Sequence, residues 1–193
     1  MSIRVLAFSF LVLLFGGIAT AAGTDVAVAV REAGDGFIVE ASIDAPVALP
    51  TAWAVLVDYD HMATILDNLA TSKVASRNGN RLIVKQEGVA RFGLFSYPFQ
   101  VEREIRLEPM TRIRARNLSG SIKRMESEVR LNAANKGATV HIDYHAEFVF
   151  DSILAGLFAV SFLHHEVEEQ FRLMVAEMKR RDAQLISGVA PTQ

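Results

Sequence analysis

The sequence predicts an α+β domain: a curved antiparallel sheet of about six or seven strands wrapped around one long C-terminal helix, with two short helices after the first strands. Three observations lead there. Between Val26 and Phe150 the apolar residues recur mostly at a period of two, the signature of half-buried strands. Only one segment, from Leu49 to Leu66, interrupts them with short helical patterns. From about Val160 to Leu185 the period becomes helical: Leu163, Val167, Phe171, Met174, Met178 and Leu185 follow at steps of three, four or seven. At about 100° per residue they form one stripe less than about 90° wide. That stripe must bury, and the inner face of a curved sheet is its natural partner. Glu166, Glu168 and Glu169 lie toward the helix start and Lys179, Arg180 and Arg181 toward its end, which complements the helix dipole. The helix is therefore expected to end near Leu185 or Ile186.

The N-terminus reads as an address. Arg4 supplies a positive start, Val5 to Ile18 is an apolar run, and Ala19-Thr20-Ala21 is a small-residue cleavage signal. The run is shorter than the roughly 20 residues that span a bilayer and lacks a basic stop-transfer cluster. Residues 1–21 are thus expected to be a cleavable signal peptide that sends the chain to the periplasm or outside the cell; left uncleaved, they would anchor it to a membrane. A domain is expected over 25–186 and a disordered tail over 187–193. With no cysteine there is no disulfide framework and no thiol chemistry, so the fold must hold by its core. Removing residues 1–21 takes Arg4 and no acid from the 20 basic and 22 acidic side chains, leaving 19 against 22 and a net charge of −3. That balance gives no footprint for nucleic acid.

Val26, Val28 and Val30, then Phe37, Val39, Ala41 and Ile43 around Ala33-Gly34-Asp35-Gly36, read as a hairpin. Leu49-Pro50-Thr51 opens a short helix, Pro50 being tolerated in a first turn, with Trp53, Leu56 and Val57 as its apolar side. A second short helix follows through Met62, Ile65 and Leu66, with Asp58 and Asp60 as its expected caps. Asn78-Gly79-Asn80 is a hairpin turn between Val74 and the Leu82, Val84, Gln86 strand. Phe92 to Pro98 reads as an unusually apolar loop. Four strands then run over Phe99 to Leu107, Arg112 to Leu118, Ile122 to Leu131 and Thr139 to Phe150.

One face of these strands is apolar: Phe99, Val101, Ile105 and Leu107, then Ile113 and Ala115, then Met125, Val129 and Leu131, then Val140, Ile142, Tyr144, Phe148 and Phe150. The other alternates acidic and basic strands: Glu102 and Glu104, then Arg112, Arg114 and Arg116, then Glu126 and Glu128, then His141, Asp143 and His145. Opposite charges across strands add roughly 0.2–1 kcal/mol per pair, so this face is expected to be wet and the other buried.

Ile43-Asp44-Ala45-Pro46, the segment Ala52-Trp53-Ala54-Val55-Leu56-Val57-Asp58-Tyr59-Asp60, and Ser72-Lys73-Val74 resemble the opening of the polyketide cyclase/dehydrase and coenzyme Q-binding START-like family of the SRPBCC, or Bet v 1-like, superfamily. Gln86, Gly120, Tyr144 and the helix ending Glu177-Met178-Lys179-Arg180-Arg181 are similar too. Asp67 stands where many relatives carry a proline. The resemblance implies a helix-grip fold with an apolar cavity between sheet and helix, used by different members for lipids, isoprenoid quinones, sterols or polyketide intermediates.

Arg103 breaks the apolar face with a guanidinium that cannot lose its charge, so it needs an acid, the cavity rim or a ligand's polar head. Tyr144 and Gln86 are the other inward polar groups. With Val101, Ala115, Val129, Phe148, Phe171 and Met174 they form the expected ligand-binding set. Phe92, Leu94, Phe95, Tyr97, Leu157 and Phe158 form the expected cavity mouth, which offers a transient membrane contact. His141, Asp143 and His145 are metal-ligand types, but lie about 6.5–7 Å apart per step of two along a charged face. His164, His165, Glu166, Glu168 and Glu169 fall on the exposed side of the helix's first turns, and His165 with Glu169 at i and i+4 lack the His-Glu-x-x-His pattern. No metal, cofactor or catalytic residue is assigned. The expected function is an exported, monomeric module that holds or carries a small hydrophobic ligand, a lipid or isoprenoid quinone. The alternative is a cyclase/dehydratase-like enzyme in the same cavity, against which stands the lack of an inward His or carboxylate as general base.

Overall fold

A computed structural model of the chain describes residues 26–150 and 159–188. Its elements are β1 (Val26–Ala33), β2 (Gly36–Ala45), α1 (Leu49–Leu56), a 3-10 turn (Tyr59–Thr64), β3 (Leu69–Asn78), β4 (Arg81–Phe92), β5 (Phe95–Glu108), β6 (Arg112–Gly120), β7 (Ile122–Ala134), β8 (Thr139–Phe150) and α2 (Ala159–Ile186). The strands form one antiparallel sheet in the order β1-β2-β8-β7-β6-β5-β4-β3. Eight strands are present where about six or seven were expected, since both hairpins that the turn signals mark, β1–β2 and β3–β4, join the same sheet as β5 to β8. Hairpins make every connection except the one from β2 to β3, where α1 and the 3-10 turn carry the chain across. No helix among the described residues is long and apolar enough to cross a membrane.

The period-two pattern builds this sheet. Val39, Ile43, Leu82, Val84, Ile105, Val140 and Ile142 point to one side and are almost wholly buried. The apolar stripe of α2 closes over them: Leu163, Val167, Phe171, Met174, Val175 and Met178 are all buried. Leu185 does not share that fate. It is 67% exposed, beyond the point where the sheet still faces the helix. The last turns are held instead by polar ties, Arg181 to Asp58 at 2.7 Å and Thr51 Oγ1 donating to Asp182 Oδ1 at 3.0 Å.

Asp58 precedes the 3-10 turn but makes no capping hydrogen bond; its carboxylate pairs with His61 and Arg181. Asp60 accepts from the Val74 amide at 2.8 Å and so joins the turn to β3. The segment Phe92 to Pro98 is not a loop. β4 and β5 continue through it, Phe92 stands opposite Phe95, and only Gly93 and Leu94 make the turn. Gly93 takes a φ of 58°, which side-chain-free backbone adopts readily, and Leu94 is fully exposed at the tip.

The outer face is less uniformly wet than its charges suggest. Glu104 is 1% exposed, covered by the guanidiniums of Arg81, Arg106 and Arg116. Arg116, followed by Arg81 and Arg106, holds its carboxyl down at about 2 against the burial that opposes ionisation. Glu128 is lowered in the same way, first by Arg114 at 2.8 Å.

Candidate functional site

The helix leans on β1, β2 and α1 and touches β4 only lightly. Small inward residues, Ala90, Ala115 and Ser127, do not fill the space left on the other side. A cavity of about 230 Å³ results, bounded by the sheet from β4 to β8, the 3-10 turn and α2.

All nine residues of the expected ligand-binding set line this cavity: Gln86, Val101, Arg103, Ala115, Val129, Tyr144, Phe148, Phe171 and Met174. Of the expected mouth, Tyr97 lines it and its hydroxyl donates to the Ser121 carbonyl at 2.9 Å. Leu94 stands in solvent rather than on the wall. Phe92 and Phe95 close the β4–β5 hairpin through their backbones. Leu157 and Phe158 lie outside the described residues.

Arg103 is the cation of the site. One Nη donates to Gln86 Oε1; Gln86 Nε2 donates to Ser72 Oγ at 3.0 Å; Ser72 Oγ donates to the Tyr59 carbonyl at 2.6 Å. Each group donates in the same direction, so the guanidinium's polarity is passed along a buried chain that ties β5, β4 and β3 to the 3-10 turn. Arg103 Nε is buried with no acceptor, and among the described residues no carboxylate lies within ion-pair reach of Arg103. A β-bulge sits opposite it: Glu102 pairs with Ser119 but Arg103 with Asn117, so Leu118 is extruded.

Two phenols share Arg103's surroundings. Tyr144 meets the Phe171 ring edge-on at 5.3 Å between centroids and shares the cavity wall with Ser127. Burial pushes both Tyr144 and Tyr59 up to about 12, although the field of Arg103 pulls the other way. Both are therefore neutral donors at pH 7. The half-exposure of Tyr144 reflects cavity space, since its ring stands on the cavity wall.

Sequence reasoning missed five polar or aromatic groups of the wall: Tyr59, Asn68, Ser127, Glu166 and Gln170. Ser127 was available from the alternation, two residues from both Met125 and Val129. Glu166 was expected on the exposed side of the helix, but it lies one residue before buried Val167 and faces the cavity, where Asn68 Nδ2 donates to Oε2 at 2.9 Å. The interior therefore does contain a carboxylate. His141 is held on the outer face by Asp44 at 2.8 Å and Asp143 at 3.2 Å. No three His, Asp or Glu side chains among the described residues are grouped to hold a metal ion.

A family described as polyketide cyclase/dehydrase and lipid transport matches residues 37–181, three quarters of the chain and every element that builds the cavity. The chain belongs to this family. No curated protein sequence matches it. Solved structures of the same fold include the Zhui aromatase/cyclase from Streptomyces sp. R1128, at 15% identity and a TM-score of 0.62 over 77% of this chain and 94% of that one. A STAR-related lipid transfer protein from Xanthomonas axonopodis aligns at 11% identity and a TM-score of 0.61, over 81% and 99%. The human StarD13 lipid transfer and protein localization domain aligns at 9% and 0.61, over 81% and 89%. At such identities the likeness is one of fold. Cyclase/dehydrase and lipid-transport domains share the helix-grip architecture, and small hydrophobic ligands are the ligand class of the family.

Proposed function

We propose that this chain is an exported carrier that holds a small lipid or isoprenoid-like ligand in the cavity between sheet and α2, with an oxygen-bearing head at Arg103. One observation carries the reading: a permanent cation faces an apolar cavity with one buried donor unused and, among the described residues, no acid beside it. A charge in that position is costly unless something partners it, and a carboxylate, phosphate or carbonyl oxygen from a ligand does so. Tyr144 and Tyr59, neutral at physiological pH, supply further donors to the same head. The volume, about 230 Å³, is below the roughly 300–1,000 Å³ of drug-sized sites, which favours a slender ligand over a fused-ring one. Export rests on the charged start, apolar run and small-residue site of residues 1–21. Leu94 at the β4–β5 tip offers a point of transient membrane contact for loading.

The test narrows the cavity. Ala115→Phe with Val129→Phe places two rings on diagonally adjacent wall positions of β6 and β7, and the doubly substituted protein is expected to stay soluble and to lose bound ligand on purification. Unchanged retention would place the ligand elsewhere. An enzymatic reading is favoured by one observation, the carboxylate of Glu166 on the cavity wall, which is the type of group a cyclase or dehydratase would use as a general base.

A further inference from the structure

The polar lining of the cavity is not confined to Arg103 and its neighbours. Glu166, near the start of α2, faces Asn68, which precedes β3, and Gln170 stands one turn further along the helix. Asn68 Nδ2 donates to Glu166 Oε2 at 2.9 Å, while Asn68 Oδ1 is buried without a partner among the described residues. Turning the amide round would set two oxygens against each other, so this is the orientation a charged Glu166 imposes. The backbone pins Asn68 in place. Its carbonyl accepts from the Val89 amide at 2.9 Å, and a Cβ on Gly88 would come within 2.0 Å of that oxygen. Only glycine lets the two segments approach so closely.

The two polar regions are separated along the sheet. Asn68 packs on Gly88, and Arg103 stands opposite Val84 on the same strand. The backbone levels are four residue steps apart, roughly 13 Å at 3.3 Å per residue, and the guanidinium reaches back from its own level to Gln86, two residues from Gly88. The wall over that interval carries Gln86, which holds the guanidinium, beside the apolar Leu69, Val101 and Phe99. The poles also differ in kind: a guanidinium only donates hydrogen bonds and a carboxylate only accepts them.

We propose that Glu166 is a second ligand-contacting group, accepting a hydrogen bond from a hydroxyl or amine at the far end of an elongated ligand whose head lies at Arg103. The proposal rests on the reading of this cavity as the ligand site. A ligand polar at one end only sets a methyl group against a half-buried carboxylate. One polar at both ends, with acceptor and donor in the right order, satisfies both poles.

The test uses the wild-type protein and two probes, decanoate and 10-hydroxydecanoate, compared by titration calorimetry at pH 7.5. The hydroxy acid is expected to bind about tenfold tighter or more, the value of a hydrogen bond to a charged acceptor. Glu166→Leu should reverse the preference and Glu166→Gln, which keeps an acceptor for Asn68, should retain part of it, with melting temperatures recorded for both. Equal or tighter binding of decanoate by the wild-type protein overturns the proposal, whether or not the variants fold. If both acids bind and both weaken in Arg103→Met while the hydroxyl makes no difference, the cavity reading stands and the role of Glu166 falls. If neither acid binds, both fall together.

Discussion

Replacing Arg103 by Met separates the two things this side chain does. In the free protein its guanidinium donates to Gln86 and heads the Gln86–Ser72–Tyr59 chain, while Nε goes unused. Methionine keeps the apolar stem and removes the charge. The loss of one donor to Gln86 costs about 1 kcal/mol, and relief from desolvating a cation without a counter-ion offsets part of that. Stability should therefore change little, the melting temperature moving by a few degrees at most. Binding should change much more. A charge-assisted hydrogen bond to a ligand oxygen is worth about 1.5–3 kcal/mol, which corresponds to roughly a 10- to 150-fold loss of affinity for decanoate. A slender neutral probe such as 1,6-diphenyl-1,3,5-hexatriene, which has no oxygen for the guanidinium, should bind wild type and variant alike. Calorimetry for the acid and fluorescence for the neutral probe read the two quantities independently. An Arg103→Met protein that binds decanoate as tightly as wild type would refute the reasoning, because Arg103 would then be structural and its charge satisfied without a ligand.

Other outcomes follow from the outer face, the core and the hairpin tip. Glu104 and Glu177 are both held at about 2, below their ordinary 4.5, by the arginines around them. A carboxylate depressed in the folded state contributes stability that is present above the unfolded value and lost as pH falls through the folded one. Melting temperature should therefore drop between about pH 4.5 and pH 2, and Glu104→Gln should flatten part of that slope by thermal denaturation across the range. Met178 is wholly buried on the α2 stripe, so Met178→Ala should cost about 2–5 kcal/mol in urea unfolding; less than 1 kcal/mol would mean that the helix end is not packed as described. Leu94→Asp should reduce co-sedimentation with phosphatidylglycerol vesicles without altering decanoate affinity; vesicle binding unchanged by the substitution would remove the hairpin tip from any membrane contact.

The fold was legible because its signals were redundant. Alternation in β5 to β8, the glycine turns and the α2 stripe each state the same curved sheet over a helix, so the nine expected wall residues reach one cavity once the strands pair in register. What stayed hidden depends on distance in sequence. Glu104 reads as a solvent-facing acid until three strands bring Arg81, Arg106 and Arg116 over it. Glu166 sits at the border of a helical stripe, and only the position of Asn68, 98 residues away, shows which side of that border it occupies. The greasy run at Phe92 to Pro98 looked like a loop because Gly93, Ser96 and Pro98 punctuate it. Its geometry is a hairpin, since Gly93 supplies the positive φ that a two-residue turn needs. Leu185 continues the stripe's spacing past the sheet's reach, and periodicity alone carries no information about where the partner surface stops.

The central claim, that the cavity between sheet and α2 holds a ligand with its head at Arg103, is tested most directly by native mass spectrometry of the protein. The protein would be purified from its own host without detergent, and the bound fraction then extracted into organic solvent and identified. The account predicts a stoichiometric adduct, an amphiphile with an oxygen-bearing head, that is absent from the Ala115→Phe, Val129→Phe protein. An adduct-free wild-type protein, or one whose adduct survives the narrowing of the cavity, would contradict it.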